Sequence, residues 1–245
     1  MISFIIPVLN EAKFIEQTFK TINKSIRLAK NIKKFEIIVV DDGSQDGIEN
    51  KINVLKSRYR NIVFVQNNKN MGMGFSIKKG INLCKFKKFM IIPGGNDIGH
   101  ESISSSLKFY SHADLVMQCP LNVEEREKYR NIISRTYSLI YIIFFDCNVY
   151  YINGASIFPS KKVKELNLKS NRHGIFSEII AKLFRKNITY CEIPVNYKWP
   201  HKSRTTINLK NIIDVLKSFL LLFIELRIFD KKPIKAKRKK LFFKT

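Results

Sequence analysis

The sequence predicts an α/β fold in which a mostly parallel central sheet carries helices on both faces. Short apolar runs alternate with amphipathic stretches through the first half of the chain, which is typical of successive β-α units. The run Phe35–Val40 has the length and β-branched composition of a strand buried on both faces. It ends in Asp41, Asp42, Gly43 and Ser44, at the edge where open α/β sheets bind ligands. Capping of the next helix is the alternative role of the two carboxylates.

Five strands and four helices follow from the periodicity of the first half. The predicted strands are Ile2–Ile6, Phe35–Val40, Ile62–Val65, Phe89–Ile92 and Asp114–Met117. The predicted helices run from Glu11 to about Leu28, from the Asp-Asp-Gly-Ser turn to Leu55, from the loop 67–74 to about Cys84, and from Glu101 to Tyr110. This order predicts parallel strands joined by crossover helices.

The alternation becomes irregular beyond Pro120. A charged segment, 124–135, leads into the apolar run Leu139–Phe145. The later elements are predicted as a strand at Ala155–Phe158, a helix after Ser160, a helix at Ile175–Arg185, a strand at Ile188–Pro194 and a helix over about Leu209–Phe229. We therefore predict one domain over residues 1–208, followed by an amphipathic helix and a basic tail over residues 209–245.

The formal net charge is +24, from 44 Lys and Arg against 20 Asp and Glu. Such an excess attracts an anionic partner, and the candidates are a membrane surface, nucleic acid and a phosphorylated substrate. The composition is rich in Lys, Ile and Asn, so charge alone does not identify the partner. No helix-turn-helix, zinc-finger or RNP-like motif is present, and we therefore expect no nucleic acid partner.

The cysteines and the N-terminus favour a cytoplasmic protein. The four cysteines are widely spaced without a C-x-x-C pair, which predicts reduced thiols and neither a disulfide framework nor a zinc site. The N-terminus leads directly into a predicted strand, so we expect no signal peptide.

Two apolar segments are candidates for contact with a membrane. Neither Leu139–Phe145 nor Phe219–Ile224 approaches the roughly 18 to 20 apolar residues that a spanning helix needs. The last helix and the basic tail Lys231–Lys244 favour a peripheral position at the inner face of the membrane, where Lys and Arg attract anionic lipid. The alternative is a helix packed on the domain, with a solvated tail.

Three local patterns occur in order along the first half of the chain, namely Pro7-Val8-Leu9-Asn10-Glu11, Val39-Val40-Asp41-Asp42-Gly43-Ser44 and Asn70-Met71-Gly72-Met73-Gly74. Together they closely resemble family 2 glycosyltransferases of the GT-A fold. Four later patterns resemble the dolichol-phosphate mannose synthase branch, namely Ala113-Asp114-Leu115-Val116, Arg130-x-x-x-Ser134-Arg135, Phe176-Ser177-Glu178-Ile179 and Glu192-Ile193-Pro194-Val195. The resemblance covers roughly residues 2–208 and implies a GT-A fold.

The resemblance implies a nucleotide-sugar donor bound across the carboxyl ends of the first strands. By position, Pro7, Leu9 and Glu11 would line the pocket for base and ribose. Val40 and Asp42 would complete this pocket, with Asp42 reading the base or ribose through its acceptor oxygens. Turn formation is the alternative role of Pro7.

The family usually carries an Asp-x-Asp motif after the fourth strand, which binds Mg²⁺ or Mn²⁺ at the donor diphosphate. Here Pro93-Gly94-Gly95-Asn96-Asp97 stands at that place, and both expected carboxylates are missing. The resemblance implies that Gly94 and Gly95 lie in the donor site and that Asp97 is the metal ligand and a catalytic residue. The alternative is that Asp97 is a helix N-cap and that metal binds weakly or not at all.

The resemblance also implies phosphate contacts in the second half of the chain. Arg130 and Ser134 lie one helical turn apart and would contact the donor or acceptor phosphate. An ion pair with Glu127 is the alternative for Arg130. A further basic residue is expected at Lys202 or Arg204.

Taken together, these features imply an inverting glycosyltransferase that acts on a lipid-linked or glycan acceptor, with polyprenyl phosphate as the leading acceptor. An ionised phosphate oxygen needs no general base, whereas a sugar hydroxyl needs one, for which Asp114 and Glu178 are the candidates. Glu178 would otherwise help to position the acceptor, with a solvated helix face as the alternative. The alternative function is a catalytically degenerate GT-A protein that serves as a binding or scaffold subunit, with a membrane subunit or a second copy as its partner.

Overall fold

The computed structural model of the protein describes residues 1–197 and 209–241. Its strands are β1 (Ile2–Val8), β2 (Phe35–Asp41), β3 (Ile62–Gln66), β4 (Lys88–Ile91), β5 (Leu115–Pro120), β6 (Ile157–Pro159), β7 (Thr189–Val195) and β8 (Lys237–Arg238). Its α-helices are α1 (Ile15–Ala29), α2 (Ile48–Arg58), α3 (Met73–Leu83), α4 (His100–Lys108), α5 (Lys128–Phe145), α6 (Ser160–Lys164), α7 (Ile175–Leu183) and α8 (Leu209–Phe223). A 3₁₀ turn at Val123–Glu125 precedes α5, and a π-helical segment at Ile224–Phe229 continues α8.

The described strands form one eight-stranded sheet in the order β3-β2-β1-β4-β6-β5-β7-β8. Neighbouring strands are parallel except at the short strand β6, which runs antiparallel to β4 and β5. Since β6 is antiparallel to both, β5 runs in the direction of β4. The carboxyl ends of β1, β2, β4 and β5 therefore lie at one edge of the sheet, which we call the carboxyl edge. The predicted mostly parallel α/β sheet is confirmed.

Two apolar cores lie on opposite faces of this sheet. On one face, α1, α2 and α4 bury side chains such as Phe19 and Leu107 against the strands. On the other face, α3, α5, α7 and α8 bury side chains such as Ile77, Tyr141 and Leu222. Each fully buried side chain of this kind contributes about 1.5–3 kcal/mol by leaving water. Helices on both faces, as predicted, therefore fix the strands and with them the carboxyl edge.

The first helix begins four residues later than predicted. Glu11 precedes a turn, and α1 starts at Ile15. The N–H of Ala12 donates to Asp46 Oδ2 at 2.7 Å, and that of Phe14 donates to Glu11 O at 2.9 Å. The residues after β1 therefore bind a neighbouring loop instead of forming the first helical turn.

The C-terminal segment 209–241 shares the sheet and the core of the preceding residues. The Phe219 ring lies 6.0 Å from that of Tyr141 and 5.4 Å from that of Phe145, and β8 pairs with the beginning of β7. The predicted boundary at residue 208 falls outside the described residues. Among the residues that the structure describes, no helix combines the length and the apolar character needed to cross a membrane.

Candidate functional site

The loops after β1 and β2 are bonded into one frame at the carboxyl edge. The Asn10 N–H donates to Ser44 Oγ at 2.8 Å, and the Gln45 N–H donates back to Asn10 Oδ1 at 2.9 Å. Asn10 adopts a positive φ of 55°, which Asn tolerates better than most residues. The Asp42 N–H donates to Val8 O at 2.9 Å. These reciprocal bonds fix the mutual position of the two loops that the sequence assigned to the donor pocket.

Asp41 closes the turn after β2. Its buried carboxylate accepts hydrogen bonds from the Ser44 N–H at 3.0 Å, the Ser44 hydroxyl at 2.5 Å and Gln66 Nε2 at 2.8 Å. The N-cap position of α2 is Gly47, so helix capping by Asp41 or Asp42 is wrong. Asp41 instead stabilises the turn and ties it to the end of β3.

Asp42 holds the loop that leads into α3. Its carboxylate, only 3% exposed, accepts four hydrogen bonds. Oδ1 accepts from Asn67 Nδ2 at 2.9 Å, the Met71 N–H at 2.9 Å and Ser76 Oγ at 3.1 Å, and Oδ2 accepts from the Gly72 N–H at 2.8 Å. An ionised carboxylate offers about four acceptor positions. Direct contact of Asp42 with a base or ribose would therefore require the exchange of one of these bonds.

The remaining predicted pocket residues of β1 and β2 differ in accessibility. Pro7 and Val40 are register partners in adjacent strands, and both are buried. The Val40 side chain packs on the α3 face of the sheet, beside Gly80. Leu9 is 39% exposed at the carboxyl edge. Of these three side chains, Leu9 is the one that the structure presents to a ligand.

Glu11 and Gly94 meet where the turn after β4 approaches the loop after β1. A Cβ atom on Gly94 would collide with Glu11 Oε2 and would lie 2.5 Å from Val8 Cγ1. Gly94 and Gly95 are both buried. The structure therefore brings the predicted residues Glu11, Gly94 and Gly95 together, and glycine at position 94 is a steric requirement.

Helix α1 binds the turn that replaces the family's metal motif. Thr18 Oγ1 donates to Gly94 O at 2.7 Å, and Thr21 Oγ1 donates to Asn96 Oδ1 at 2.8 Å. Asn96 has a positive φ of 59°. Asn96 lies where the family's metal motif has carboxylates, and its amide oxygen already accepts a hydrogen bond from Thr21.

Asp97 is the one carboxylate of this turn, and it is half-buried. The N-cap position of α4 is Gly99, so the alternative of Asp97 as the N-cap is wrong. Among the described residues, no group of three His, Cys, Asp or Glu side chains is arranged to hold a metal ion. A hard cation prefers several oxygen ligands. The turn after β4 offers the Asp97 carboxylate and an Asn96 amide oxygen that is already hydrogen-bonded. These two groups do not form a preformed Mg²⁺ or Mn²⁺ site.

Arg130 and Ser134 lie in the first two turns of α5, whose start is bonded to the segment after β5 because Asn131 Nδ2 donates to Val123 O. The Arg130 side chain is 12% exposed, pairs with Glu127 and lies over the Tyr129 ring at 5.3 Å. The expected ion pair with Glu127 is therefore present. Lys202 and Arg204 lie outside the described residues.

Sequence reasoning missed the polar side chains that hold the two loops. Asn67 and Ser76 bind Asp42, and Thr18 and Thr21 bind the turn after β4. Lys79 donates to Gln66 O and to Asn67 Oδ1, both at 3.0 Å. Asn67 directly follows a strand, which was a signal for a role at the carboxyl edge. The two threonines lie within a helix, where sequence alone shows no partner.

Residues 3–92 match the family model described as Glycosyl transferase family 2. A dolichyl-phosphate beta-glucosyltransferase, ALG5D of Trichomonas vaginalis, is 25% identical over 236 residues, which cover 88% of this chain and 72% of that protein. The uncharacterized protein MJ0544 of Methanocaldococcus jannaschii is 24% identical over 239 residues, covering 90% of this chain and 99% of its own.

Solved structures share the fold. Glucosyl-3-phosphoglycerate synthase from Mycobacterium tuberculosis, in complex with Mn²⁺, UDP and phosphoglyceric acid, superposes with a TM-score of 0.68 at 15% identity, covering 91% of this chain and 78% of that one. Residues 1–349 of TarS from S. aureus, in complex with UDP-GlcNAc, give a TM-score of 0.61 at 14% identity, covering 94% and 68%. The chain therefore shares the GT-A fold of these solved structures, and the similarity to glycosyl transferase family 2 covers its residues 3–92.

Proposed function

We propose that the protein is an inverting glycosyltransferase that moves a sugar from a nucleotide-diphosphate sugar to a membrane-associated phosphate acceptor such as polyprenyl phosphate. The observation that carries this proposal is the convergence of three loops at the carboxyl edge, where Glu11 meets Gly94. The name of the Trichomonas relative, a dolichyl-phosphate glucosyltransferase, supports a lipid phosphate as acceptor.

The donor pocket lies between the loop after β1 and the turn after β4. Leu9 offers an exposed apolar surface for the base, and Glu11 offers carboxylate oxygens for ribose hydroxyls. Pro7 and Val40 shape the floor from within the sheet, and Asp42 contributes by holding the loop into α3. Gly94 lets the turn after β4 lie directly against the Glu11 side chain, and Gly94 and Gly95 would close this side of the pocket.

Transfer would be an in-line displacement at the anomeric carbon, with the nucleoside diphosphate leaving on the opposite side. A phosphate monoester oxygen is ionised at neutral pH and attacks without a general base. Arg130 would hold a phosphate through its guanidinium, and Ser134 one turn later would donate a hydroxyl hydrogen bond. Lys202 and the overall charge of +24 add to the positive potential around the diphosphate.

The resemblance to family 2 glycosyltransferases implies Mg²⁺ or Mn²⁺ at the donor diphosphate. The related synthase was solved with Mn²⁺ and UDP, and also with Mg²⁺ and UDP. In this chain Asp97 is the candidate ligand, and the donor phosphates would supply most of the remaining oxygens. Because the donor set does not fit a preformed site, no step of the transfer is assigned to a metal ion.

A membrane surface is the proposed partner, at the inner face of the membrane. Outward-facing apolar side chains are concentrated on two helices that pack side by side, where Phe144 of α5 contacts Phe219 of α8 at 5.5 Å between ring centroids. The exposed residues of this apolar face are Ile132, Leu139 and Ile143 on α5 and Ile213, Leu216, Leu220 and Ile224 on α8 and the π-helical segment. Large exposed apolar patches mark interaction sites, and the basic tail adds attraction to anionic lipid.

The test is transfer of labelled sugar from nucleotide sugars to polyprenyl phosphate in vesicles. The matched control acceptor is the corresponding polyprenol, which has the same chain and no phosphate. We expect labelled lipid with the phosphate acceptor alone. Transfer to polyprenol, or to a soluble glycan with no transfer to the phosphate, would contradict the proposed acceptor.

The altered turn after β4 favours a second candidate function. A protein that binds a nucleotide sugar without transferring it would serve as a scaffold subunit, with a membrane subunit or a second copy as partner. Donor binding without turnover on any lipid or glycan acceptor identifies this case.

A further inference from the structure

We propose that Glu178 is a positioning residue. Together with Lys182, Lys169 and Glu225, it connects the C-terminal helix to the loop before α3 and fixes the position of that loop. We call these four side chains the ion-pair network; Glu178 and Lys182 are buried, Glu225 is 23% exposed and Lys169 is 46% exposed. The inference rests on the proposed function in one respect, namely that the loop before α3 belongs to the donor site. It assigns a role to side chains that the transfer reaction itself does not use.

Glu178 holds the backbone of the segment that precedes α7. It is 3% exposed, and its two oxygens accept hydrogen bonds from the N–H groups of Lys169 and Ser170, each at 2.8 Å. The alternative of a solvated helix face is therefore wrong. A buried carboxylate that accepts two backbone N–H groups fixes the path of that backbone.

Lys182 joins Glu178 to the C-terminal helix. Its Nζ lies 2.9 Å from Glu178 Oε1 and 2.7 Å from Glu225 Oε1. Lys169 Nζ lies 2.8 Å from Glu225 Oε2. Lys182 is 5% exposed, so removal of either carboxylate leaves a buried ammonium group with one partner fewer.

The π-helical segment Ile224–Phe229 carries Glu225 at its start. The Asp230 N–H donates to Glu225 O at 2.7 Å, a bond five residues apart that is typical of this wider helix. Local widening of this kind occurs frequently at functional sites. Here the π-helical segment carries Glu225, whose carboxylate pairs with both Lys182 and Lys169.

The segment held by Glu178 is seated on the beginning of α3. The Phe75 N–H donates to Asn171 O at 3.1 Å, and Lys78 Nζ donates to Asn171 Oδ1 at 2.7 Å. A Cβ atom on Gly72 would collide with Asn171 O, and one on Gly74 would lie 2.7 Å from Arg172 O. The two backbones therefore approach so closely that a shift of one requires a shift of the other.

The same turn is bound to Asp42 on its other side. Met71 and Gly72 donate their N–H groups to the Asp42 carboxylate at 2.9 and 2.8 Å. A continuous series of polar contacts thus runs from Glu225 to the carboxyl edge. A cavity of about 240 Å³ lies between the segment 169–171 and α8. Because this side of the segment borders a cavity, the polar contacts carry much of its positioning.

The test is amide hydrogen exchange on the full chain, which needs no substrate. The variants are Glu225→Gln and Glu178→Gln, and the matched control is Glu16→Gln, since Glu16 pairs with Lys20 at the same four-residue spacing on the exposed surface. Glu225→Gln is the milder of the two variants because Glu225 is less buried than Glu178.

We expect exchange at Lys169 and Ser170, and also at Phe75, Met71 and Gly72, to become about tenfold faster, a size typical of coupled sites. The control should leave all five amides unchanged. Faster exchange at Lys169 and Ser170 alone would overturn the inference, because the network would then fix only its own segment. An equal rise at every amide would also overturn it, because it would report a loss of global stability.

Steady-state kinetics distinguish a role of Glu178 in positioning the loop from a role in folding alone. In the vesicle assay, we expect Glu178→Gln to raise KM for the sugar nucleotide about tenfold, with kcat within about twofold of the original value. A fall in kcat at unchanged KM would contradict the inference. If the unmodified protein transfers no sugar, the proposed function fails, while the exchange experiment still decides whether the network positions the loop.

Discussion

Asp41 and Asp42 are adjacent in sequence, yet they stabilise different loops. Asp41 binds Ser44 within its own turn, whereas Asp42 binds backbone and side-chain donors between residues 67 and 76. Both carboxylates are buried, and their hydrogen-bonding capacity is used within the protein. The residues that build the site therefore act largely by positioning other residues.

We predict that Asp42→Ala both destabilises the protein and abolishes binding of the nucleotide sugar. The change leaves buried donors of Met71, Gly72 and Asn67 without an acceptor, at about 1–3 kcal/mol for each such group. We expect a loss of about 3 kcal/mol or more in the free energy of unfolding in urea. Asp46→Ala, which removes the acceptor of the Ala12 N–H, is the control and should lose about 1 kcal/mol. Unchanged donor affinity in Asp42→Ala would sink the site assignment.

Gly94→Ala tests the contact between the turn after β4 and Glu11. The added methyl group collides with the Glu11 carboxylate, so we expect a loss of about 1–3 kcal/mol in stability together with a loss of donor binding. Ile188→Val is the control, because Ile188 is 1% exposed in the core and precedes β7, at the end of the sheet opposite the carboxyl edge. It should lower stability similarly in urea unfolding and leave donor affinity unchanged. Equal loss of binding in both variants would show that the effect is not local.

Sequence placed the correct residue types at the carboxyl edge but not their bonds. The Asp-Asp-Gly-Ser turn and the glycines after β4 were found because strand ends and turn residues are local signals. The partners of Asp42 lie 25 to 34 residues away, and a sequence carries no local signal of such pairings. The contact of Glu11 with Gly94 likewise depends on the order of strands in the sheet.

At the scale of elements, α5 and α8 combine a buried face with an exposed apolar face. Tyr141 and Phe145 of α5 pack against Phe219 of α8, while the opposite sides of both helices remain exposed. A helix that is apolar on both sides is suited to lie between a protein core and another apolar phase.

Replacement of Leu216 and Leu220 by Ser tests whether this face binds membranes. Both side chains are more than half exposed, so the replacements should leave the fold intact. We expect binding to anionic lipid vesicles to weaken about tenfold or more in a sedimentation assay, because two apolar side chains leave the bilayer interface. Val54→Ser is the control, since Val54 is similarly exposed on α2, on the other face of the sheet. Vesicle binding that survives in the double variant would exclude this face as the contact.

The regular elements were the most predictable part of the fold. Strands β1 to β5 and the helices between them were predicted because short apolar runs alternate with amphipathic stretches in this part of the chain. The short antiparallel strand β6, the tail strand β8 and the π-helical segment depend on tertiary contacts. The three-residue β6 was predicted as a strand, but its antiparallel direction carries no sequence signal.

The net charge of +24 and the GT-A fold both favour the proposed position of the protein at an anionic membrane surface. A positive potential favours anionic donors and an anionic membrane surface alike. The carboxyl edge lies at one end of the sheet, and α5 leads away from it along the face shared with α8. An enzyme docked through these two helices would hold its donor site near lipid headgroups.

The most direct test of the central claim is calorimetric titration of the protein with a panel of UDP- and GDP-sugars, each with and without Mn²⁺. We predict that one donor binds with a micromolar Kd and that Mn²⁺ changes this Kd little, because the turn after β4 offers a single carboxylate. Strictly Mn²⁺-dependent binding would contradict the interpretation of that turn. Binding of no nucleotide sugar at all would contradict the assignment of the carboxyl edge as a donor site.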